Sequence, residues 1–138
     1  MRTLLLIFAL MTTAAPPPTL IDWKLLRALD MKTGKRSPAL DKVNGATVRL
    51  LGFMMPFDDE EQKTVEFLVV PVMGQCVHLP PPPPNQIVLV RMANDQLTKI
   101  WFQDLISVEG KLEISDQKSP YGEVSYKITA TKVAREER

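Results

Sequence analysis

Two runs of alternating side chains near the C-terminus constrain the fold of this 138-residue chain most strongly. The apolar row of the first run consists of Ile106, Val108, Leu112 and Ile114, with Gly110 among them. The apolar row of the second run consists of Val124, Tyr126, Ile128 and Ala130. Polar or charged residues fill the positions between them, and such period-two alternation is typical of strands that bury one face. The two runs therefore predict two β-strands packed on a core.

Three earlier segments also have the character of strands. They span residues 46–56, 64–72 and 86–92. In the first, Val48, Leu50, Gly52 and Met54 share one face, and the second is apolar on both faces, which is typical of a central strand. Residues 97–105 fit a helical stripe and a short strand equally well. Three strands, a connecting segment and two further strands follow the order of an OB-fold, a small five-stranded Greek-key barrel. We therefore predict a mainly β chain with a five-stranded OB-like barrel; a small open β-sandwich is the alternative.

Glycines and turn residues refine this prediction. Gly52 and Gly110 fall inside predicted barrel strands, where glycine commonly marks a sharp bend or a bulge. The polar residues 115–123, which include Pro120 and Gly122, predict a loop between the last two strands. The run of acidic residues at 58–61 predicts a solvated turn between the first two strands.

A short helical segment is predicted ahead of the barrel. Asp22 is a suitable N-cap, and the apolar spacing from Trp23 to Leu29 predicts a helix that ends near Gly34. Trp23 is expected to anchor this helix on the core. A second turn of helix is predicted over residues 39–43.

The charge balance argues against two classes of partner. The chain has 17 lysines and arginines against 16 aspartates and glutamates, and loss of a signal segment containing Arg2 leaves 16 of each. A protein that grips phosphate backbones needs a basic footprint. Attachment to an anionic membrane needs a polybasic patch. We therefore expect neither a nucleic-acid partner nor a membrane surface.

The N-terminus has the three parts of a secretory signal peptide. Arg2 supplies a positive charge, residues 4–11 are apolar, and small residues follow. The apolar run is too short to span a bilayer of about 30 Å. We predict a signal peptide at 1–14, a linker and N-terminal helical segment at 15–45, and the barrel domain at 46–134. The expected location is therefore periplasmic or secreted, with no integral membrane segment after cleavage.

The only cysteine and the only histidine, Cys76 and His78, are separated by one residue. In an extended segment both side chains face the same way. A proline run follows almost directly, and prolines fix φ and favour a stiff polyproline-II strut. The candidate binding residues of this strut and its end are Pro80, Pro81, Pro82, Pro83, Pro84, Asn85 and Gln86.

Three interpretations of the Cys76–His78 pair stay open. As metal ligands, thiolate and imidazole suit zinc or copper, and the missing ligands would come from Asp, Glu, Met or another chain. As a nucleophile, Cys76 would be activated by His78 in an enzyme or redox protein. As structural residues, the cysteine is buried and the histidine caps a loop.

Methionine bears on the choice of metal. The residues in or near the predicted strands are Met54, Met55, Met73 and Met92. Thioether ligands beside a thiolate favour Cu(I), whereas methionines that only fill gaps in a core bind nothing. No catalytic residue is assigned, because no phosphate loop, Ser/His/Asp constellation or paired-carboxylate motif is recognisable.

The string Cys-x-His-x-polyproline-Asn-Gln, from Cys76 to Gln86, is distinctive. The residues just before it, 67–71, and two upstream strings that begin at Asp22 and Asn44 belong to the same pattern. Together they resemble a family of small secreted bacterial proteins that is known only as a domain of unknown function. The likeness runs over most of the mature chain.

The resemblance implies a protein of the periplasm or cell envelope. It also implies a partner among envelope proteins or components of ABC transporters linked to zinc uptake, and it brings no enzymatic activity. The predicted function is a periplasmic, non-enzymatic binding or accessory protein that handles a transition metal, zinc or copper, through Cys76 and His78. The alternative is a thiol-dependent enzyme or redox protein that uses Cys76 with His78.

Overall fold

The computed structural model describes residues 14–74 and 82–137. In this part of the chain the strands are β1 (Thr19–Ile21), β2 (Thr47–Pro56), β3 (Lys63–Thr64), β4 (Glu66–Val70), β5 (Val88–Met92), β6 (Thr98–Lys99), β7 (Leu105–Ser119) and β8 (Gly122–Arg135). The helices are α1 (Trp23–Arg27) and α2 (Pro38–Val43), with 3-10 turns at Pro84–Gln86 and Ala93–Asp95. None of the described helices is long and apolar enough to cross a membrane. Residues 1–13 of the predicted signal peptide lie outside the described residues.

The longer strands of the described chain close into a ring. β2 pairs antiparallel with β7 through residues 47–53 and with β4 through residues 53–56. β4 pairs antiparallel with β5, β5 parallel with β8, and β8 antiparallel with β7. The order β2-β4-β5-β8-β7 therefore returns to β2. The mainly β class with a short N-terminal helical segment is confirmed, and the ring is consistent with the predicted OB-like barrel.

Alternation gives each strand of the ring one row of side chains that points to the interior. β2 contributes Val48, Leu50 and Met54, the face that the sequence predicts to be apolar. The other strands add Phe67, Val69, Val88, Val90, Met92, Ile106, Val108, Leu112, Ile114, Tyr126, Ile128 and Ala130. Leu26 of α1 and Leu40 of α2 join the same cluster. Burial of each large apolar side chain contributes about 2 kcal/mol, so this cluster is the main source of stability.

β4 is apolar on both faces because it separates two clusters. Phe67 and Val69 belong to the interior of the ring, whereas Leu68 and Val70 face a second cluster with Ile87, Leu89 and Val124. The ring of Tyr121, at the tip of the β7–β8 hairpin, lies 5.8 Å from the ring of Phe57 at the edge of this second cluster. The prediction of a central strand is therefore confirmed.

The two strand glycines have different roles. The register of β7 against β8 shifts between Glu109 and Gly110, so Gly110 marks a bulge, as predicted. Gly52 keeps a regular register with β7. A β-carbon at Gly52 would overlap Cγ1 of Val69 and lie 3.0 Å from both Cζ2 of Trp23 and the carbonyl oxygen of Val70, so this glycine makes room for β4 and the indole that pack on it. Trp23 also donates a 2.7 Å hydrogen bond from Nε1 to the carbonyl of Leu51, which confirms its role as an anchor.

Two predicted boundaries are wrong. Residues 115–123 were expected to form a loop, but β7 continues to Ser119 and β8 starts at Gly122, because a second register shift after Ile114 lets the polar hairpin extend beyond the ring. The first helix ends at Arg27 instead of near Gly34. The Asp30 carboxylate accepts hydrogen bonds from two backbone N–H groups beyond it and so favours a turn.

Tyr126 joins the ring to α1 and gives a prediction for alkaline pH. Its buried hydroxyl donates a 2.7 Å hydrogen bond to the carbonyl of Leu26, and burial raises the pKa of this phenol above its ordinary value. A group whose pKa is raised in the folded state stabilises the fold below its unfolded pKa, about 10 for tyrosine. That stabilisation is lost as the pH rises further.

We expect Tyr126→Phe to lower the free energy of unfolding by about 1 kcal/mol at pH 7. Above about pH 10 the wild type loses stability through this phenol and the variant does not. The difference should therefore shrink and then reverse near pH 11, as measured by urea unfolding from pH 7 to 11.5. A stability difference between the two proteins that stays constant across that range would contradict a raised pKa at Tyr126.

Candidate functional site

The predicted site lies in the connection between β4 and β5. Cys76, His78, Pro80 and Pro81 are outside the described residues. The structure describes both flanks of this segment, up to Gly74 on one side and from Pro82 on the other. The flanks show how the fold holds the segment that carries the candidate ligands.

The N-terminal flank leaves β4 at Val70, which is fully buried in the second cluster. Three residues later the chain is at the surface, where Val72 is 57% and Met73 45% exposed. Gly74 has a φ of 77°, in the left-handed region that glycine adopts without a steric penalty. A side chain at this position would strain the turn that leads into the Cys76–His78 segment.

The C-terminal flank is a short 3-10 turn. Pro82 is buried, and the carbonyl of Pro83 accepts a 2.8 Å hydrogen bond from the backbone N–H of Gln86. Pro84 occupies the first turn, where the missing N–H costs nothing because it has no partner in a helix anyway. The end of the proline run therefore has a defined backbone that leads directly into β5.

Asn85 and Gln86 tie this turn to α1. The Nδ2 group of Asn85 donates to the carbonyl of Leu29 at 3.2 Å, and Nη1 of Arg27 donates to Oε1 of Gln86, also at 3.2 Å. Gln86 further donates from Nε2 to the carbonyl of Asn85 at 2.8 Å. Both side chains are only 8% exposed. We call Asn85, Gln86, Arg27 and the Leu29 carbonyl the latch.

The latch serves both elements that it joins. Carbonyls at the C-terminus of a helix have no partner within the helix, and Asn85 supplies one just beyond α1. In return, α1 holds the last residues of the proline segment against the ring. Arg27 is the latch residue that the sequence analysis missed, because nothing local in the sequence connects it with a glutamine 59 positions away.

The four methionines weighed as ligands or as core residues do not form one group. Met54 and Met92 lie in the interior cluster, Met55 packs against the second cluster, and Met73 is exposed. Sδ of Met54 accepts a 3.1 Å hydrogen bond from the N–H of Trp101, so this thioether has a structural partner. Among the described residues, no group of three or more His, Cys, Asp or Glu side chains is placed to hold a metal ion.

One protein family and one crystal structure of a member of that family are similar to this chain over most of its length. The sequence profile of a family described as "Protein of unknown function (DUF3299)" matches residues 25–135. No curated protein matches the sequence. The crystal structure of a DUF3299 family protein from Pseudomonas aeruginosa PAO1 is 24% identical, with a TM-score of 0.66, over 89% of this chain and 99% of the other.

A second solved structure is related in fold alone. The crystal structure of a putative aspartyl-tRNA synthetase from Leishmania major Friedlin is 12% identical, with a TM-score of 0.50. The likeness covers 91% of this chain and 22% of the synthetase.

Proposed function

The chain belongs to the DUF3299 family, whose function is unknown, and we propose that it is an exported, non-enzymatic binding or accessory protein. In this proposal it handles a transition metal through Cys76 and His78. The ring is the scaffold and the β4–β5 connection is the binding segment. Zinc and copper are the candidate ions, because thiolate and imidazole are ligands that both accept. An envelope protein or transporter component is the proposed partner.

The latch is the observation that carries this proposal. A connection that only joins two strands needs no buried polar anchors, yet Asn85 and Gln86 are 8% exposed and hydrogen bonded to Leu29 and to Arg27 of α1. Burying an amide side chain costs free energy unless the amide is hydrogen bonded. The paired amides of Asn85 and Gln86 therefore fix the C-terminal end of the segment. A segment that is already restricted before the metal binds loses less conformational entropy when its side chains coordinate the ion.

Two protein ligands are too few for a closed zinc site, which takes four. The exposed thioether of Met73, three residues before Cys76, is the described candidate for a third ligand, and it would favour Cu(I). A second copy of the chain would supply another Cys–His pair. The metal content per chain therefore distinguishes a site within one chain from a shared one.

Metal analysis of the exported protein tests the proposal. Protein purified without chelator or affinity histidines is reconstituted with zinc and, under reducing conditions, with Cu(I). We expect about one ion per chain, or one per two chains for a shared site, and loss of the ion in Cys76→Ala/His78→Ala. Met73→Leu is the matched control for the thioether, and it should weaken Cu(I) more than zinc.

Equal metal content in wild type and double variant, or no metal in either after reconstitution, would contradict metal handling. Alkylation then examines the alternative. A thiol enzyme needs a Cys76 thiolate at neutral pH, so Cys76 would react with iodoacetamide much faster than free cysteine, and His78→Ala would slow it. Ordinary reactivity, with no bound ion, would leave the pair a structural role.

A further inference from the structure

The two-stranded sheet of β3 and β6 places like charges opposite each other. In its register Lys63 faces Lys99, and both side chains are exposed. Directly opposed residues have β-carbons about 5 Å apart, so two ammonium groups here destabilise the pairing. Neither lysine takes part in an ion pair among the described residues, so both ammonium groups are without a salt-bridge partner there.

An exposed aromatic side chain lies beside this pair. Phe102 is 49% exposed although it follows directly on Trp101, which packs against the core. The next residue, Gln103, has a φ of 58°, a strained conformation for a residue with a side chain. Its N–H bonds to the carbonyl of Met54 at 3.0 Å, and the carbonyl of Asp104 accepts from the N–H of Met54 at 3.3 Å. The turn is thus fixed to β2 and holds Phe102 outward.

Both features border one cleft of about 600 Å³. The residues that line it include Lys63 and Lys99 and the apolar residues Ile100 and Phe102. Ligand sites are commonly of this size, mostly apolar, with a few placed polar groups. We propose that this cleft binds a small aromatic or apolar ligand bearing one negative charge, with its anionic group between the lysines and its apolar body on Phe102.

The carboxylates of Asp59 and Glu61 line the same cleft and limit the charge of the ligand. Two carboxylates against two ammonium groups leave no net positive charge, so a polyphosphate or nucleic acid is disfavoured. A single anionic group can still bind between the lysines, because neither lysine is in a salt bridge with a carboxylate among the described residues. The ligand class is therefore a monoanion such as an aromatic carboxylate or sulfonate.

A pair of matched dyes tests this. The probe is 8-anilinonaphthalene-1-sulfonate, and its uncharged parent N-phenyl-1-naphthylamine is the control for apolar binding alone. We expect saturable fluorescence at one site, with the sulfonate bound about tenfold more tightly than the parent. Lys63→Gln/Lys99→Gln should abolish that ratio, and Phe102→Ala should weaken both dyes about tenfold. Lys111→Gln, an exposed lysine on β7, should change neither.

Lys99→Glu should change stability and sulfonate affinity in opposite directions, which a surface without a binding site would not show. It converts the like-charge pair into an attractive one, so the melting temperature should rise by about 2–4 °C while affinity for the sulfonate falls at least tenfold. Asp59→Asn/Glu61→Gln should tighten sulfonate binding. The proposal is overturned if dye binding is absent, if it survives in Phe102→Ala and the double lysine variant, or if Lys99→Glu leaves the affinity unchanged.

Discussion

Replacing Gly110 by alanine is expected to lower the free energy of unfolding by at least ~3 kcal/mol, because the new β-carbon would collide with backbone across the bulge. It would overlap the carbonyl oxygen of Thr129 and lie 2.7 Å from Cα of Ala130. These atoms belong to the β7–β8 ladder and cannot rotate away as a side chain would. Relief requires the strands to separate where the ring depends on their pairing. Chemical denaturation of the purified variant measures the loss.

Gly45→Ala is the matched control for this variant. Gly45 has a φ of 78° and no neighbouring atoms within 4 Å of an added β-carbon, so alanine there costs about 1 kcal/mol from backbone strain alone. The difference between the two variants isolates the steric effect at the bulge. Equal losses would show that β7 and β8 do not approach each other as closely at Gly110 as the structure has them.

Asn85→Asp is expected to cost about 3 kcal/mol at pH 7, because it exchanges a buried donor for a buried charge. The Nδ2 group of Asn85 faces the carbonyl oxygens of Leu29 and Arg27, at 3.2 and 3.5 Å. A carboxylate in the same place turns both hydrogen bonds into repulsions. Thermal and urea unfolding at pH 7 measure the loss against the wild type.

The pH dependence identifies the cause of that loss. Repulsion and burial raise the pKa of the introduced carboxyl in the folded state, so the penalty is largest at neutral pH. It should decrease as the pH falls towards 4, where the protonated acid donates again. Asn94→Asp makes the same chemical change at an exposed turn and should cost less than about 0.5 kcal/mol. A loss at Asn85 that is independent of pH would contradict the latch geometry.

The latch also links the two stability tests to the proposed function. If the latch positions the binding segment, Asn85→Ala should weaken metal binding although Cys76 and His78 are both unchanged in this variant. An added β-carbon at Gly110 would meet Thr129 and Ala130 and no latch residue, so Gly110→Ala should affect metal binding only through overall unfolding. Metal affinity measured at a temperature well below the melting temperature of each variant separates loss of positioning from loss of the folded state.

Local patterns were sufficient where one segment decides its own structure. Alternation identified β7 and β8 and the buried row of β2, since a side chain's face follows from its position in a strand. Asp22 was identified as an N-cap, and it accepts a 2.8 Å hydrogen bond from the N–H of Leu25. Gly110 was identified as a bend or bulge, because glycine inside a strand commonly marks one, but the same reasoning did not hold at Gly52, which keeps a regular register.

Features that depend on distant partners could not be read in the same way. The true length of the β7–β8 hairpin depends on register shifts and on contacts of Tyr121 with Phe57, not on the polar composition of residues 115–123. The cleft beside Phe102 exists only because β3 and β6 pair, and these strands are two residues long. Such short strands carry no periodic signal.

The sequence by itself determined the five longer strands, a buried face of these strands, the bulge at Gly110 and the position of Cys76 and His78 between two of them, because periodicity and residue chemistry are local properties. Only the tertiary structure decided which strands meet, that Asn85 donates to the Leu29 carbonyl just beyond α1, 56 positions away, and that two lysines face each other. The reason is physical: hydrogen bonds and charges act over a few ångströms in space. Residues far apart in the sequence come within that range only after the ring has closed.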